Sequence, residues 1–120
     1  MLQVVLDTLF TLLAIRAIWK LLQGVKVGLS GGITGLIEAA RRARQVGYEV
    51  YLASALDGPL GIAAALHAAC AVEPDRPCGL ATLRMFEGGD PLPAASGRLA
   101  VPNGPGLGDG LIGWYRSSGA

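Results

Sequence analysis

From Leu2 to Leu22 the chain is apolar at almost every position, and from Gly24 onward it breaks into short units that alternate between two periods. In the first stretch Gln3, Asp7 and Thr11 fall on one side of a helix while Arg16, Lys20 and Gln23 fall nearly opposite. No single wet face exists, so residues 1–23 predict a mostly buried apolar helix, or sequence foreign to the fold that follows. "GVKVGL" (24–29) is a brief β-branched run bounded by Gly24 and the "SGG" at 30–32, and predicts a strand. "ITGLIEAARRARQVG" then places Ile33, Leu36, Ile37, Ala40 and Ala43 at helical spacing, with Arg41, Arg42 and Arg44 on a solvated face and Gly47 as the C-terminal cap. "YEVYLAS" (48–54) predicts the next strand and "GPLGIAAALHAACAV" the next helix, with Pro59 in the first turn, where a missing N–H costs nothing. After the "EPDRP" turn, "CGLAT" (78–82) predicts a third short strand. Strand, helix, strand, helix, strand is a parallel α/β arrangement with crossover helices, here spanning residues 24–86. From residue 87 to 120 Gly and Pro dominate; "GRLAV" (97–101) reads as a strand and the rest as an extended return segment.

Composition narrows the partners more than the fold. The chain has 120 residues, enough for one domain but short of the roughly 250 that a complete (β/α)8 barrel needs. The net charge is +1 and the eight Arg and two Lys are scattered, so no basic stripe exists to neutralise a run of phosphates. Nucleic acid is therefore not an expected partner. Eighteen Gly beside 52% hydrophobic residues describe tight turns between buried elements, where disorder needs the opposite balance. Cys70 and Cys78 are too few for a disulfide framework and lack zinc-site spacing, which reads as reduced thiols in a cytoplasmic protein. Asp7, Arg16 and Lys20 interrupt the N-terminal run, and central charges cost about 2.5–3.5 kcal/mol each on insertion scales, which disfavours a membrane span. No basic stretch precedes that run and no small-residue cleavage site follows it, so a signal peptide is not expected either.

In parallel α/β folds, ligands sit beyond the C-terminal ends of the strands. "KVGLSGG", "SALDGPLG" and "GLATL" occupy that edge. Ser54, Asp57 and Gly58 put polar side chains and backbone N–H groups ahead of a helix N-terminus, where a carboxylate or phosphate is favoured. The alternative is that Ser54 or Asp57 simply caps the helix. Lys26 sits within an apolar parallel strand, where its ammonium is costly to bury unless it reaches a site at the strand end or snorkels at the sheet edge. His67 lies among alanines on a helix and reads as a surface or core histidine in preference to a catalyst. Gly28, Gly31 and Gly32 lack the spacing of a dinucleotide fingerprint and the acidic residue that follows one.

The order "VKVGLSGG", "SALDGPLGIAAALH", "CGLATL", "SGRLAVPNGPGLG" resembles the C-terminal part of the o-succinylbenzoate synthase family of the enolase superfamily, over roughly residues 24–108. The resemblance implies an α/β fold in which the chain is a partial parallel (β/α) barrel fragment of enolase type, preceded by the apolar N-terminal helix. It also implies a lyase family of menaquinone biosynthesis that uses Mg²⁺ to dehydrate 2-succinyl-6-hydroxy-2,4-cyclohexadiene-1-carboxylate. By the same resemblance Lys26 matches a lysine that stabilises the enolate-like intermediate, and Ser54, Asp57 and Gly58 match the turn that helps bind substrate carboxylate. Gly79 and Leu80 match last-strand backbone that closes over the succinyl group. The superfamily holds its metal with three acidic residues on successive strands and sets a Lys-x-Lys pair before them. This sequence has no Lys-x-Lys, and Asp7 is its only acid upstream of Lys26, so the Mg²⁺ ligands of the family are not expected in this chain. The implied reading is a truncated gene or gene fragment, inactive alone, that would receive a small dicarboxylate substrate if completed by the remaining half. Two or three βα units also leave sheet edges open to self-association. Two other readings remain: the same piece of an N-acylamino acid racemase, muconate cycloisomerase or dipeptide epimerase, or a non-enzymatic module whose apolar helix makes membrane or subunit contacts.

Overall fold

Two short runs of extended backbone lie side by side and in the same direction. They are β1 (Gly24–Lys26) and β2 (Tyr51–Ala53), paired Gly24 to Tyr51, Val25 to Leu52 and Lys26 to Ala53 in a computed structural model that describes the backbone of residues 1–21, 24–26 and 31–118. The remainder of the strand expected over 24–29 lies outside the described residues. A parallel pair needs a crossover, and α2 (Gly32–Gln45) supplies it. Leu36 and Ala40 of this helix are buried, Ile33 and Ala43 pack partly against the core, and Ile37, expected inside, stands on the rim at 37% exposure. Gly47 ends α2 as its spacing predicts: at φ 83° it lets its own N–H reach the Arg44 carbonyl (3.0 Å) and the Tyr48 N–H the Ala43 carbonyl (2.9 Å), a Schellman closure.

The second crossover, α3 (Pro59–Val72), carries Pro59 at its start and is buried along most of its length, Ile62 to Leu66 without a break. Alanines at 63, 64, 65 and 68 make this possible, because small side chains let other segments approach a helix from several sides. Leu36, Val50, Leu52, Ile62, Leu80 and Leu83 form the centre of the core between α2, α3 and the strands. Together these elements form an α/β unit with a parallel strand pair.

The third strand expected at 78–82 is reduced to one parallel bridge between Ala53 and Gly79, followed by a 3-10 turn over Leu83–Met85. Its shortness has a chemical cause. The N–H groups of Val50, Leu52 and Ser54 would all donate across this edge, and only the last meets a carbonyl, that of Gly79 at 3.0 Å. Val50 N–H is taken by an Asp75 carboxylate oxygen (2.7 Å) and Leu52 N–H by the Cys78 thiol sulfur (3.3 Å). Side-chain acceptors thus stand in ladder positions, and the strand does not propagate.

Arg44 is exposed, as expected of the arginine face, and in addition it clamps the end of a neighbouring helix. Its guanidinium donates to the Val72 carbonyl (2.6 Å), the Glu73 carbonyl (2.6 Å) and the Asp75 carboxylate (3.2 Å), closing the C-terminal end of α3, where the last carbonyls have no helical partner. Arg41 and Arg42 are exposed as expected and share Glu38.

Of the two readings of residues 1–23, the mostly buried helix fails, while sequence foreign to the fold is not contradicted, and the tail also departs from its expectation. The N-terminal helix, α1 (Leu2–Leu21), is present, but every described side chain from Met1 to Arg16 is exposed, including Leu2 at 74% and Phe10 at 77%. It is apolar all round and no described part of this chain covers it, a relation that periodicity cannot reveal. No described helix is long and apolar enough to cross a membrane. The tail, expected to be extended, wraps Leu92, Leu99 and Val101 against the core and then coils into a 3-10 turn over Asp109–Leu111 and α4 (Ile112–Ser118). The strand expected at 97–101 is a tight hairpin instead, with Ala95 and Arg98 exchanging two 2.9 Å hydrogen bonds around Ser96 and Gly97, both at positive φ.

Candidate functional site

The C-terminal end of β2 opens into a polar corner. Ser54 follows the strand directly, and its hydroxyl oxygen accepts the Asp57 N–H and the Thr82 hydroxyl, each at 3.0 Å. With both acceptor positions in use, the Ser54 hydroxyl proton finds no acceptor among the described residues. Asp57 turns its carboxylate back onto the Ala55 N–H (3.0 Å) and fixes the turn that leads into α3. Neither residue caps the helix. The N-cap of α3 is Gly58, which has no side chain to offer, and the Leu60 N–H is received by the Tyr115 hydroxyl of α4 at 3.0 Å.

The residues singled out in the sequence therefore divide. Ser54, Asp57 and Gly58 meet in one place, and Gly79 adjoins them through the Ser54 N–H to Gly79 carbonyl bond. The Gly79 N–H donates to the Leu52 carbonyl at 2.8 Å, so both polar backbone groups of Gly79 already serve β2. Leu80 is 3% exposed and contributes its side chain to the core. Lys26 ends β1 opposite Ala53, at the same edge as Ser54, and its side chain lies outside the described residues. His67 sits about two turns along α3 from the corner, half-buried, with an enclosed Nε2 that has no hydrogen-bond partner. Among the described residues no three His, Cys, Asp or Glu side chains gather in a way that could hold a metal ion, and Asp57 is the only acid of the corner. These residues do not fit the magnesium site that the resemblance implies.

Thr82 and Tyr115 are the residues that sequence reasoning missed. Thr82 lies inside the "GLATL" stretch and is distinguished there only by being its one hydroxyl. Tyr115 belongs to a seven-residue helix that no periodic pattern announces.

A family profile described as enolase C-terminal domain-like matches residues 18–111, and this decides the family. The chain belongs to the enolase C-terminal domain-like family. Within it, o-succinylbenzoate synthases from Mycobacterium bovis and Mycobacterium tuberculosis are each 45% identical to this chain over 80 residues, a stretch that covers 64% of this chain and 24% of theirs. The chain thus matches about a quarter of the length of those curated relatives. The enolase-like match begins inside α1 and ends at Leu111, so it takes in both βα units and the whole polar corner, and leaves residues 1–17 and α4 outside.

Proposed function

We propose that this chain is the closing part of an enolase-type (β/α) barrel of the o-succinylbenzoate synthase kind, and that its polar corner receives a carboxylate of 2-succinyl-6-hydroxy-2,4-cyclohexadiene-1-carboxylate. The 45% identity to proteins of that name, over a stretch of 80 residues, carries the reading. In it, Ser54 donates its free hydroxyl proton to the substrate carboxylate, and the Ser54, Asp57 and Thr82 hydrogen bonds hold that donor still. Lys26, at the end of the neighbouring strand, supplies a cation to the edge where the enolate-like charge develops. The resemblance implies Mg²⁺ as the family's own charge stabiliser, and the acids to hold it, like the Lys-x-Lys pair, would come from the remaining length of a full synthase. On its own the chain holds a substrate corner without the groups that move the proton.

The test is complementation. Mixed with the N-terminal half of a related synthase, which bears the lysine pair and three acids, the chain should restore formation of o-succinylbenzoate. Lys26→Ala should then remove about 10²- to 10³-fold of the recovered rate, while Lys20→Ala leaves it unchanged. Recovery of N-acylamino acid racemisation without dehydration would transfer the chain to a sister activity. A folded complex with neither activity would refute the proposal.

A further inference from the structure

Over its first three turns α1 is sided in a way that its full length hides. Gln3, Asp7, Thr8 and Thr11 share one side, and their side chains bond within the helix. The Gln3 amide donates to the Asp7 carboxylate (3.2 Å), the Thr8 hydroxyl to the Val4 carbonyl (2.7 Å) and the Thr11 hydroxyl to the Asp7 carbonyl (2.8 Å). Leu2, Leu6, Leu9 and Leu13 run along the opposite side, at the alternating steps of four and three that make a heptad seam. All four are exposed, from 74% at Leu2 to 50% at Leu6, and Val5, Phe10 and Leu12 flank them with more than half of their surface in water. Arg16 takes the next position of the same row.

The surface of the whole molecule calls for a cover of this size. A compact chain of 12.3 kDa exposes about 6,100 Å², and this one exposes 8018 Å². The excess, about 1,900 Å², is larger than the roughly 800 Å² per partner that a standard interface buries. Most of the large exposed apolar side chains lie on α1. The leucine row falls ahead of residue 18, where the family match begins, so the shared barrel region supplies no partner for it. A lipid surface fits poorly: helices that lie on one carry Lys and Arg on the polar face, and here that face holds Asp7 and no cation as far as Leu13. A second copy offers leucine to leucine.

We propose that α1 pairs with α1 of a second copy in an antiparallel two-helix seam, Leu2 against Leu13 and Leu6 against Leu9. Arg16 sets the direction. In a parallel pair it would meet its own counterpart inside the seam, where like charges repel, whereas in an antiparallel pair it passes the other helix's N-terminal end and stays in water. Sedimentation velocity on the full chain tests the pairing. Leu6→Glu with Leu9→Glu drives unpaired carboxylates into the seam from both copies and should weaken the dimer at least about a hundredfold. Thr8→Glu with Thr11→Glu adds the same charges at the same spacing on the other side and should leave the dimer intact. Unchanged hydrogen-exchange protection over residues 59–72 reports that both variants keep their core. With Cys70→Ser removing the exposed thiol, Leu2→Cys and Leu13→Cys chains combined should oxidise to a mixed disulfide at least about tenfold faster than Leu13→Cys alone. A monomer for the unmodified chain, dimer loss in both glutamate pairs or in neither, or faster oxidation of Leu13→Cys alone each overturns the proposal. Flotation of the unmodified chain as a monomer with phosphatidylcholine and phosphatidylglycerol vesicles makes lipid the occupant and overturns it too.

Discussion

Replacing Arg44 by lysine keeps a positive charge on α2 and removes the planar fork that reaches three acceptors at once. The guanidinium holds the Val72 and Glu73 carbonyls at 2.6 Å each, and through Asp75 it steadies the group that receives the Val50 N–H. A charge-assisted hydrogen bond contributes about 1.5–3 kcal/mol when buried. The Arg44 side chain is 37% exposed, which scales each carbonyl bond to about 1 kcal/mol and the pair to about 2 kcal/mol. In a unit of this size that corresponds to roughly 8–16 °C in melting temperature. Lysine can satisfy one of the two carbonyls, so Arg44→Lys should lose at least half of that range and Arg44→Ala all of it. Arg84→Lys is the control, because Arg84 is exposed and takes no part in the clamp, and it should melt with the unmodified chain. Melts followed by near-ultraviolet circular dichroism read all three. If Arg44→Lys melts within about 2 °C of the unmodified chain, the clamp contributes nothing and the packing account of the α3 C-terminus is wrong.

Acid should loosen the fold from the same region. Hydrogen bonds from Arg41 and then Arg42 hold the Glu38 carboxyl down at about 2 from an ordinary 4.5, and the Val50 N–H, with Arg44 adding to it, lowers Asp75 from 3.8. Both groups bind protons more weakly folded than unfolded, so their stabilisation is complete above the ordinary carboxylate range and fades as pH falls from 4.5 toward 2. Urea midpoints measured across that interval should drop, Asp75→Asn should flatten part of the slope, and a midpoint constant down to pH 3 would contradict both assignments. The exposed apolar α1, and the side of β1 that no described residue pairs, should drive self-association: sedimentation should show species larger than a monomer, and Leu9→Glu with Leu13→Glu should raise the monomer fraction if α1 is the cause. A single monomer boundary for the unmodified chain would remove both surfaces from consideration.

What the sequence discloses depends on how local the cause is. The body of α2, its glycine stop at Gly47 and the proline start of α3 were legible because each is decided within a few residues. The polar corner was legible as a place, since Ser54, Asp57 and Gly58 are contiguous, while the split between capping and ligand binding was not. That neither Ser54 nor Asp57 caps α3 shows only with Tyr115 in place, which arrives from a helix too short to carry a period. The third strand failed for a similar reason: "CGLAT" has strand composition, but whether it pairs depends on Asp75 and Cys78 reaching β2 first. Arg44 looks like its neighbours Arg41 and Arg42 in sequence and differs from them only in what α3 brings within reach. The exposure of α1 is the reverse case, an apolar pattern with no described surface of this chain to meet it.

The side-chain acceptors along β2 also determine what kind of assembly backbone pairing permits. A sheet with two open edges adds copies at both and grows without limit, as a polymer of bifunctional units does. Here the carboxylate of Asp75, the sulfur of Cys78 and the carbonyl of Gly79 occupy alternate N–H groups on one side of β2, and that side has nothing left to give a second chain. Among the described residues only the outer side of β1 remains, which makes the sheet monovalent. Pairing through that single edge would stop at two copies, each terminating the other, where a fully open sheet would extend into a fibril.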